Sequence, residues 1–239
     1  GKLRCFTDQS VLHFDGRAGV WESVCLNPDD PEPKWRPFRR IGDGHLMNKP
    51  IVLGNGDWAA SVYLNGTWDG RGTLRGAFPR LDAVRGAICY VSTDKGKNWE
   101  QRGCVVFPRN ADGCEDWQES QLLESPDGTL RVFARVCDGE TGRLMSAESA
   151  DGGRTWTKPH ALPGMDSPNA RCQIRRLSSG RLLFVKNGAA DKGAPAWGGR
   201  ERMTAYLSDD EGATWRGGLL LDAAWCTYPD CCQGPDGYI

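Results

Sequence analysis

The chain has 239 residues, 26% of them charged, with 30 basic and 31 acidic side chains and a formal net charge of −1. That balance argues against a general nucleic-acid or membrane-surface binder, while leaving room for a local basic pocket. No apolar run approaches the ~20 residues that span a bilayer, and the opening GKLRCFTDQS holds no apolar core of a signal peptide. Gly 31 and Pro 14 are high, long helical periodicities are missing, and short alternating runs point to an all-β chain. The ten cysteines include no C-x-x-C pair, which argues against a zinc ribbon or a thioredoxin-like site. They read as small buried hydrophobes, or as one or two disulfides in an exported protein.

The repeating pattern begins near residue 45. IVLGNGDWAASVYL (51–64) is two strand-like runs joined by Asn55-Gly56, and AICYVS (87–92) follows. LLESPDGTLRVFARV (122–136) repeats the arrangement around Asp127-Gly128, followed by LMSAES (144–149). RRLSSGRLLFVKN (175–187) repeats it around Ser179-Gly180, followed by MTAYLS (203–208). A fourth pair, Asp236-Gly237, stands in the closing GPDGYI. Such pairs suit tight hairpin turns. Each third strand runs into one eight-residue box: STDKGKNW (92–99), SADGGRTW (149–156) and SDDEGATW (208–215). Their serines are 57 and 59 residues apart, a spacing that marks a repeat architecture. One repeat is then roughly four short antiparallel strands in ~50–60 residues, a propeller blade. The box has no nucleophile. Its Asp suits the amides of a turn, its Gly a left-handed backbone, and its Trp a cover over the turn.

The turn pairs set a register. Eight residues before Asp127, Ser179 and Asp236 stand Glu119, Arg171 and Tyr228; eight before Asn55 stands Met47, with Asn48 beside it. Inner strands of radially stacked blades converge on one mouth, so these side chains are expected to meet there.

S-x-D-x-G-x-[TN]-W is the Asp box, and the chain resembles the sialidase (neuraminidase) superfamily of six-bladed β-propellers. The resemblance implies one propeller domain over residues 1–239, with about three and a half blades over residues 45–239 and a break-off at the C-terminus. WQESQLLESPDGTLRVFAR resembles the segment with a catalytic Glu and a substrate-binding Arg, which places those roles on Glu119 and Arg135. TYPDCCQGPDG resembles the segment of the nucleophilic Tyr, here Tyr228. GGRERMTAYLSDDEGATW resembles the strand carrying a further carboxylate-binding Arg, matched best by Arg200, with Arg202 the alternative. The general acid would be an Asp of an early loop, Asp69 or Asp82. Tyr replaces a carboxylate nucleophile because a sialic acid carries its own carboxylate at the anomeric carbon. No metal or organic cofactor is needed by that mechanism. The implied partner is an acidic glycan or sialoglycoconjugate, and the expected location is extracellular or periplasmic.

The resemblance breaks at MNKP (47–50). Where sialidases place the first of three carboxylate-binding arginines, Asn48 stands, and strand alternation turns Lys49 to the other face. Arg39, Arg40 and Arg171 are candidates to supply the missing charge. His45, just before that strand, reads as a base or donor near a sugar pocket, or as a structural His at a strand entry. The competing expectations are a uronic-acid hydrolase or lyase on the same scaffold, and a glycan-binding propeller without turnover.

Overall fold

The structure is a computed structural model that describes residues 1–9, 19–64, 85–108, 119–135, 143–166, 168, 170–188 and 199–239. Its strands form four antiparallel sheets, each wound in chain order. The first contains β1 (Leu3–Gln9), β2 (Gly19–Cys25) and β3 (Arg39–Gly42). The second contains β4 (Ile51–Val52), β5 (Trp58–Leu64), β6 (Gly86–Ser92) and β7 (Glu100–Val105). The third contains β8 (Gln121–Glu124), β9 (Leu130–Arg135), β10 (Arg143–Ser149) and β11 (His160–Asp166). The fourth contains β12 (Gln173–Arg176), β13 (Leu182–Lys186), β14 (Met203–Ser208) and β15 (Arg216–Asp222). These are successive propeller blades. β8 touches both β5 and β12, so the early strands of neighbouring sheets lie closest together.

The first three expected hairpins form, and all four turns close alike. The amides of Gly56, Gly128, Gly180 and Gly237 donate to the carbonyls of Leu53, Ser125, Leu177 and Gly234 at 2.8–3.0 Å. These four glycines have φ of 84–88°, a left-handed conformation that other residues adopt only at a cost. Asn55, Asp127 and Asp236 each accept from the amide two residues on, as Asx turns do.

Two features depart from the sequence reading. The partial blade precedes the three full ones: residues 3–42 hold the three-stranded sheet, which carries no box. At the other end, residues 223–239 close the fourth turn without forming a strand. Its amides bond locally, Gly234 to the Tyr238 carbonyl and Gly237 to that of Gly234.

The boxes serve the structure. In each, the Ser hydroxyl donates to the Asp carboxylate at 2.7–2.8 Å and accepts from the Gly amide at 2.8 Å. The amides of Asn98, Thr155 and Thr214 donate to the same carboxylates. The residue before each Gly is left-handed too, including Lys95 (φ 59°) and Glu211 (φ 58°). A Cβ on Gly153 would come within 2.5 Å of the Cys89 sulfur, so that box packs against the preceding sheet. The tryptophans point the same way: Trp99, Trp156 and Trp215 pack on the apolar layers that separate their own sheets from the preceding ones.

Those layers hold the blades together. Val20, Leu46, Val62 and Ile88 lie between the first two sheets. Ala59, Val91, Phe107, Leu122 and Val132 lie between the second and third. Leu123, Phe133, Leu144, Ile174 and Phe184 lie between the third and fourth. Blades are buried on both faces, which explains strands such as β6, buried at all seven positions. The eight described cysteines are free thiols, and Cys114 and Cys137 lie outside the described residues. Burial pushes the Cys89, Cys104 and Cys172 thiols up to about 12, the behaviour of inert packing residues.

Two outcomes follow from this packing. Phe184, 1% exposed between the third and fourth sheets, should cost about 3–5 kcal/mol on substitution to Ala, read by urea denaturation. The second concerns acid. Hydrogen bonds from Asn98 and Thr214 draw Asp94 and Asp210 down from 3.8 to about 2, and Thr155 draws Asp151 lower still. A depressed carboxylate stabilises the fold fully above its unfolded pKa and loses that contribution as pH falls through the folded one. The Tm should therefore hold to about pH 5 and fall between about pH 4 and pH 2, and Asp94→Ala with Asp210→Ala should flatten that fall.

Candidate active site

The turn-based register does bring its residues together. Glu119 precedes β8, Arg171 precedes β12, Met47 and Asn48 precede β4, and Tyr228 lies eight residues before the fourth turn. Arg171 is where they meet. Its Nη1 donates to the Met47 carbonyl and to Asn48 Oδ1, both at 2.9 Å. Its Nη2 donates to the carbonyls of Tyr228 (2.9 Å) and Pro229 (2.8 Å). Asn48 in turn donates from Nδ2 to the carbonyls of Glu119 (3.2 Å) and Ser120 (3.1 Å). Three sheets and the C-terminal segment are thus tied at one point.

Beside this hub lies the ionisable group. Glu119 and Arg135 are both buried, with Arg135 Nη1 3.0 Å from Glu119 Oε2, an ion pair rather than an aligned hydrogen bond. Tyr228 is 39% exposed at φ 60°. A non-glycine residue there is strained, and the two Arg171 bonds to the Tyr228 and Pro229 carbonyls secure it. The Tyr228 phenol pKa is raised, first by partial burial, then by the charge of Glu119 and a hydrogen bond to it, against the opposing pull of Arg135 and Arg200. The guanidinium carbons of Arg171 and Arg200 lie 5.4 and 5.9 Å from the centre of the Tyr228 ring, within cation–π range. Arg200 is buried here, whereas Arg202 is exposed at the entry to β14.

Other candidates stand elsewhere. Arg39 binds the buried Glu22 and the first box, and Arg40 pairs with Asp43. Lys49 turns outward to Asp230 at 2.7 Å. His45 is fully buried, with Nδ1 2.7 Å from Asp8 Oδ2 and its ring 5.3 Å from that of Tyr63. Asp69 and Asp82 lie outside the described residues.

Two residues were missed by the sequence reading. Tyr63 is 2% exposed, and its phenol pKa is raised by burial, then by Glu119, Asp8 and Tyr228, so it adjoins the same cluster. The signal was present: eight residues after Asn55, Asp127 and Ser179 stand Tyr63, Arg135 and Asn187, the ends of the second strands. Counting forward from the turns, as well as backward, finds Tyr63. Asp8 lies in the first sheet, which carries no box and stands outside the pattern that begins near residue 45.

Against known proteins, the model of the BNR repeat-like domain matches residues 11–239. The chain belongs to that family. It is 26% identical over 162 residues to the Anhydrosialidase of Macrobdella decora, an alignment covering 62% of this chain and 20% of that protein. Its structure resembles a variant of the NanB sialidase from Streptococcus pneumoniae, with a TM-score of 0.60 at 17% identity over 91% of this chain and 31% of that one. It also resembles a polysaccharide lyase of family PL25, an ulvan lyase, with a TM-score of 0.51 at 15% identity over 92% and 56%. The fold is that of a sialidase-type β-propeller. The chain spans about a fifth of the curated relative and under a third of the NanB chain. Among the described residues no helix is long and apolar enough to cross a membrane, and no cluster of His, Cys, Asp and Glu could hold a metal ion.

The hub gives a direct test. Asn48→Ala removes two donations to carbonyls and the Oδ1 acceptor that Arg171 uses. Leaving buried partners unsatisfied costs about 1–3 kcal/mol each, so chemical denaturation should show a loss on that scale.

Proposed function

We propose that this chain carries the nucleophilic part of a sialidase-type active site that cleaves terminal acidic sugars with retention. The observation that carries the reading is the Tyr228 phenol set against the Glu119 carboxylate, with Arg135 paired to that Glu and Arg200 beside the Tyr ring. A phenol is a poor nucleophile while protonated, and a raised pKa keeps it so at neutral pH. Glu119 takes the proton as the Tyr228 oxygen bonds to the anomeric carbon and the glycosidic C–O bond breaks. The departing oxygen takes a proton from an acid, for which Asp69 and Asp82 are the candidates. Water then attacks the same carbon and gives a proton to the Asp that had acted as acid, the sugar–Tyr bond breaks, and Glu119 returns its proton to Tyr228. Arg135 and Arg200 draw the substrate carboxylate, since guanidinium forks suit it. Tyr63 confines the site as an apolar wall.

A second reading has its own support. All four Arg171 hydrogen bonds go to protein oxygens, three of them backbone carbonyls, so Arg171 holds the chain in place rather than replacing the missing arm of the triad at Asn48. Two arginines with a Tyr also suit a uronate lyase, in which Tyr228 removes the proton beside the carboxylate and the C–O bond breaks by elimination. The likeness to an ulvan lyase fits that alternative. His45, buried behind Tyr63 and tied to Asp8, is the poorer base in this geometry.

One experiment separates these readings. The chain, and any longer polypeptide that carries it, is assayed on fluorogenic α-sialosides and uronides with the product identified. Hydrolysis that falls about 10²–10⁴-fold in Tyr228→Phe and in Glu119→Gln supports the glycosidase. An ultraviolet-absorbing unsaturated sugar assigns the lyase. Sugar binding without turnover, unchanged by Glu119→Gln, removes both and leaves a binding propeller.

A further inference from the structure

Antiparallel winding gives each blade two ends. Glu119, Arg171 and Arg200 precede first or third strands and Arg135 closes a second strand, so all four lie at one end. The boxes join third strands to fourth strands and lie at the other. At that far end, between the first and second sheets, is a groove of about 780 Å³. It is lined by Lys2, Arg4, Arg36, Arg39, Lys95 and Lys97, and by a single carboxylate, Glu22. In a chain whose net charge is −1, six cations around one acid are a concentrated local field.

The cations divide into two sets. Arg4 and Arg39 both bind the buried Glu22, and they also reach the carbonyls of Lys95, Gly96 and Lys97 in the first box. They build the floor. Lys2, Arg36, Lys95 and Lys97 are exposed, and the described residues offer their side chains no acceptor. Lys95 holds φ 59° because the box turn demands it, so its direction is set by the fold. The groove is therefore a rigid floor with four cationic side chains around it, of a size usual for ligand sites.

We propose that this groove is a second binding site, for an anionic polysaccharide whose sulfate or carboxylate groups pair with Lys2, Arg36, Lys95 and Lys97. It would hold a polymeric acidic substrate at the end of the propeller remote from Tyr228. The choice of a glycan rests on the reading of the active site given above. Single-stranded nucleic acid needs aromatic platforms for its bases. The groove's one aromatic ring, Trp58, is covered by Arg4 at 4.7 Å and closely approached by Gly96.

The test titrates the 239-residue chain with a heparin hexasaccharide, with an oligogalacturonate, with neutral dextran, and with an oligonucleotide matched in charge to the hexasaccharide. Binding of one or both acidic glycans is expected, weakening as salt shortens the reach of the charges, with none to dextran. The hexasaccharide and the oligogalacturonate distinguish sulfate from carboxylate as the group recognised. Lys95→Glu with Lys97→Glu should weaken that binding at least ~10-fold while leaving the Tm unchanged. Glu at position 95 suits the turn, since Glu211 occupies the same place in the third box. Arg36→Glu, outside the box, is the second variant and should act the same way. Arg200→Ala should leave in place the glycan binding that Lys95→Glu with Lys97→Glu weakens, and the charge reversals should leave sialoside or uronide turnover unaltered. The proposal is overturned if neither acidic glycan binds, or if both charge-reversal variants bind like the unaltered chain. It is also overturned if Arg200→Ala removes the binding, or if the oligonucleotide binds as tightly as the hexasaccharide.

Discussion

Everything at the mouth of this propeller depends on one half-buried guanidinium, that of Arg171. A propeller has no central strand or helix to which its blades can attach, so the chain segments that reach the axis must be tied to one another. Arg171 does this with four donations, to Met47, Asn48, Tyr228 and Pro229, residues up to 124 positions away. Asn48 extends the tie to Glu119 and Ser120. A planar fork with a fixed charge suits the task, because carbonyl oxygens compensate the charge while the geometry sets their spacing. The strained backbone of Tyr228 persists because the same guanidinium holds its carbonyl. The position of the phenol over Glu119 is thus a consequence of the tie.

The far end of each blade is secured by other means. There the boxes present inward-turned carbonyls, and neighbouring arginines take them. Arg102 donates to Gly152 at 2.6 Å and the Gly103 amide to Gly153 at 2.7 Å. Arg131 donates to the Glu211 carbonyl at 2.6 Å, and Arg176 pairs with the Glu211 carboxylate. Between the two ends lie the apolar layers, into which each box sends its tryptophan. Polar locks at both ends and non-directional packing between them suit an architecture in which each blade touches only its neighbours. Rigid ends also free the loops to vary, which is where specificity is usually built.

Much of this was legible in the residues. Three boxes and four turn pairs fix strand order and register, and the register alone collects Glu119, Arg171 and Tyr228. What escaped did so for physical reasons. The first sheet, residues 3–42, is held by the Glu22 ion pairs and by packing on Val62 and Ile88, and neither leaves a mark in local sequence. Asp8 reaches His45 only because that sheet lies beside the second. Tyr63 reads as one more aromatic in a buried strand until its place is compared with Arg135. Arg171 was expected among the charges that could compensate for Asn48. Sequence shows that a cation is near but not that backbone oxygens occupy its donors.

That last point changes how Asn48 is understood. Seen against the sialidase pattern, Asn48 is an arginine lost. In the structure its Oδ1 accepts from Arg171 while its Nδ2 donates to the third sheet. An Asn side chain has both an acceptor and donors, and an arginine has donors only. Arginine at 48 would face Arg171 with no oxygen to offer and a second positive charge a few ångströms away. The charge at this corner comes from the fourth sheet instead of the second, directed at backbone instead of outward. Asn48 and Arg171 are therefore a matched pair, and restoring the family's arginine at 48 alone would break the tie rather than rebuild the triad. In the proposed reaction a substrate carboxylate is drawn by Arg135 and Arg200 alone among the described arginines, beside the Tyr228 phenol and Tyr63.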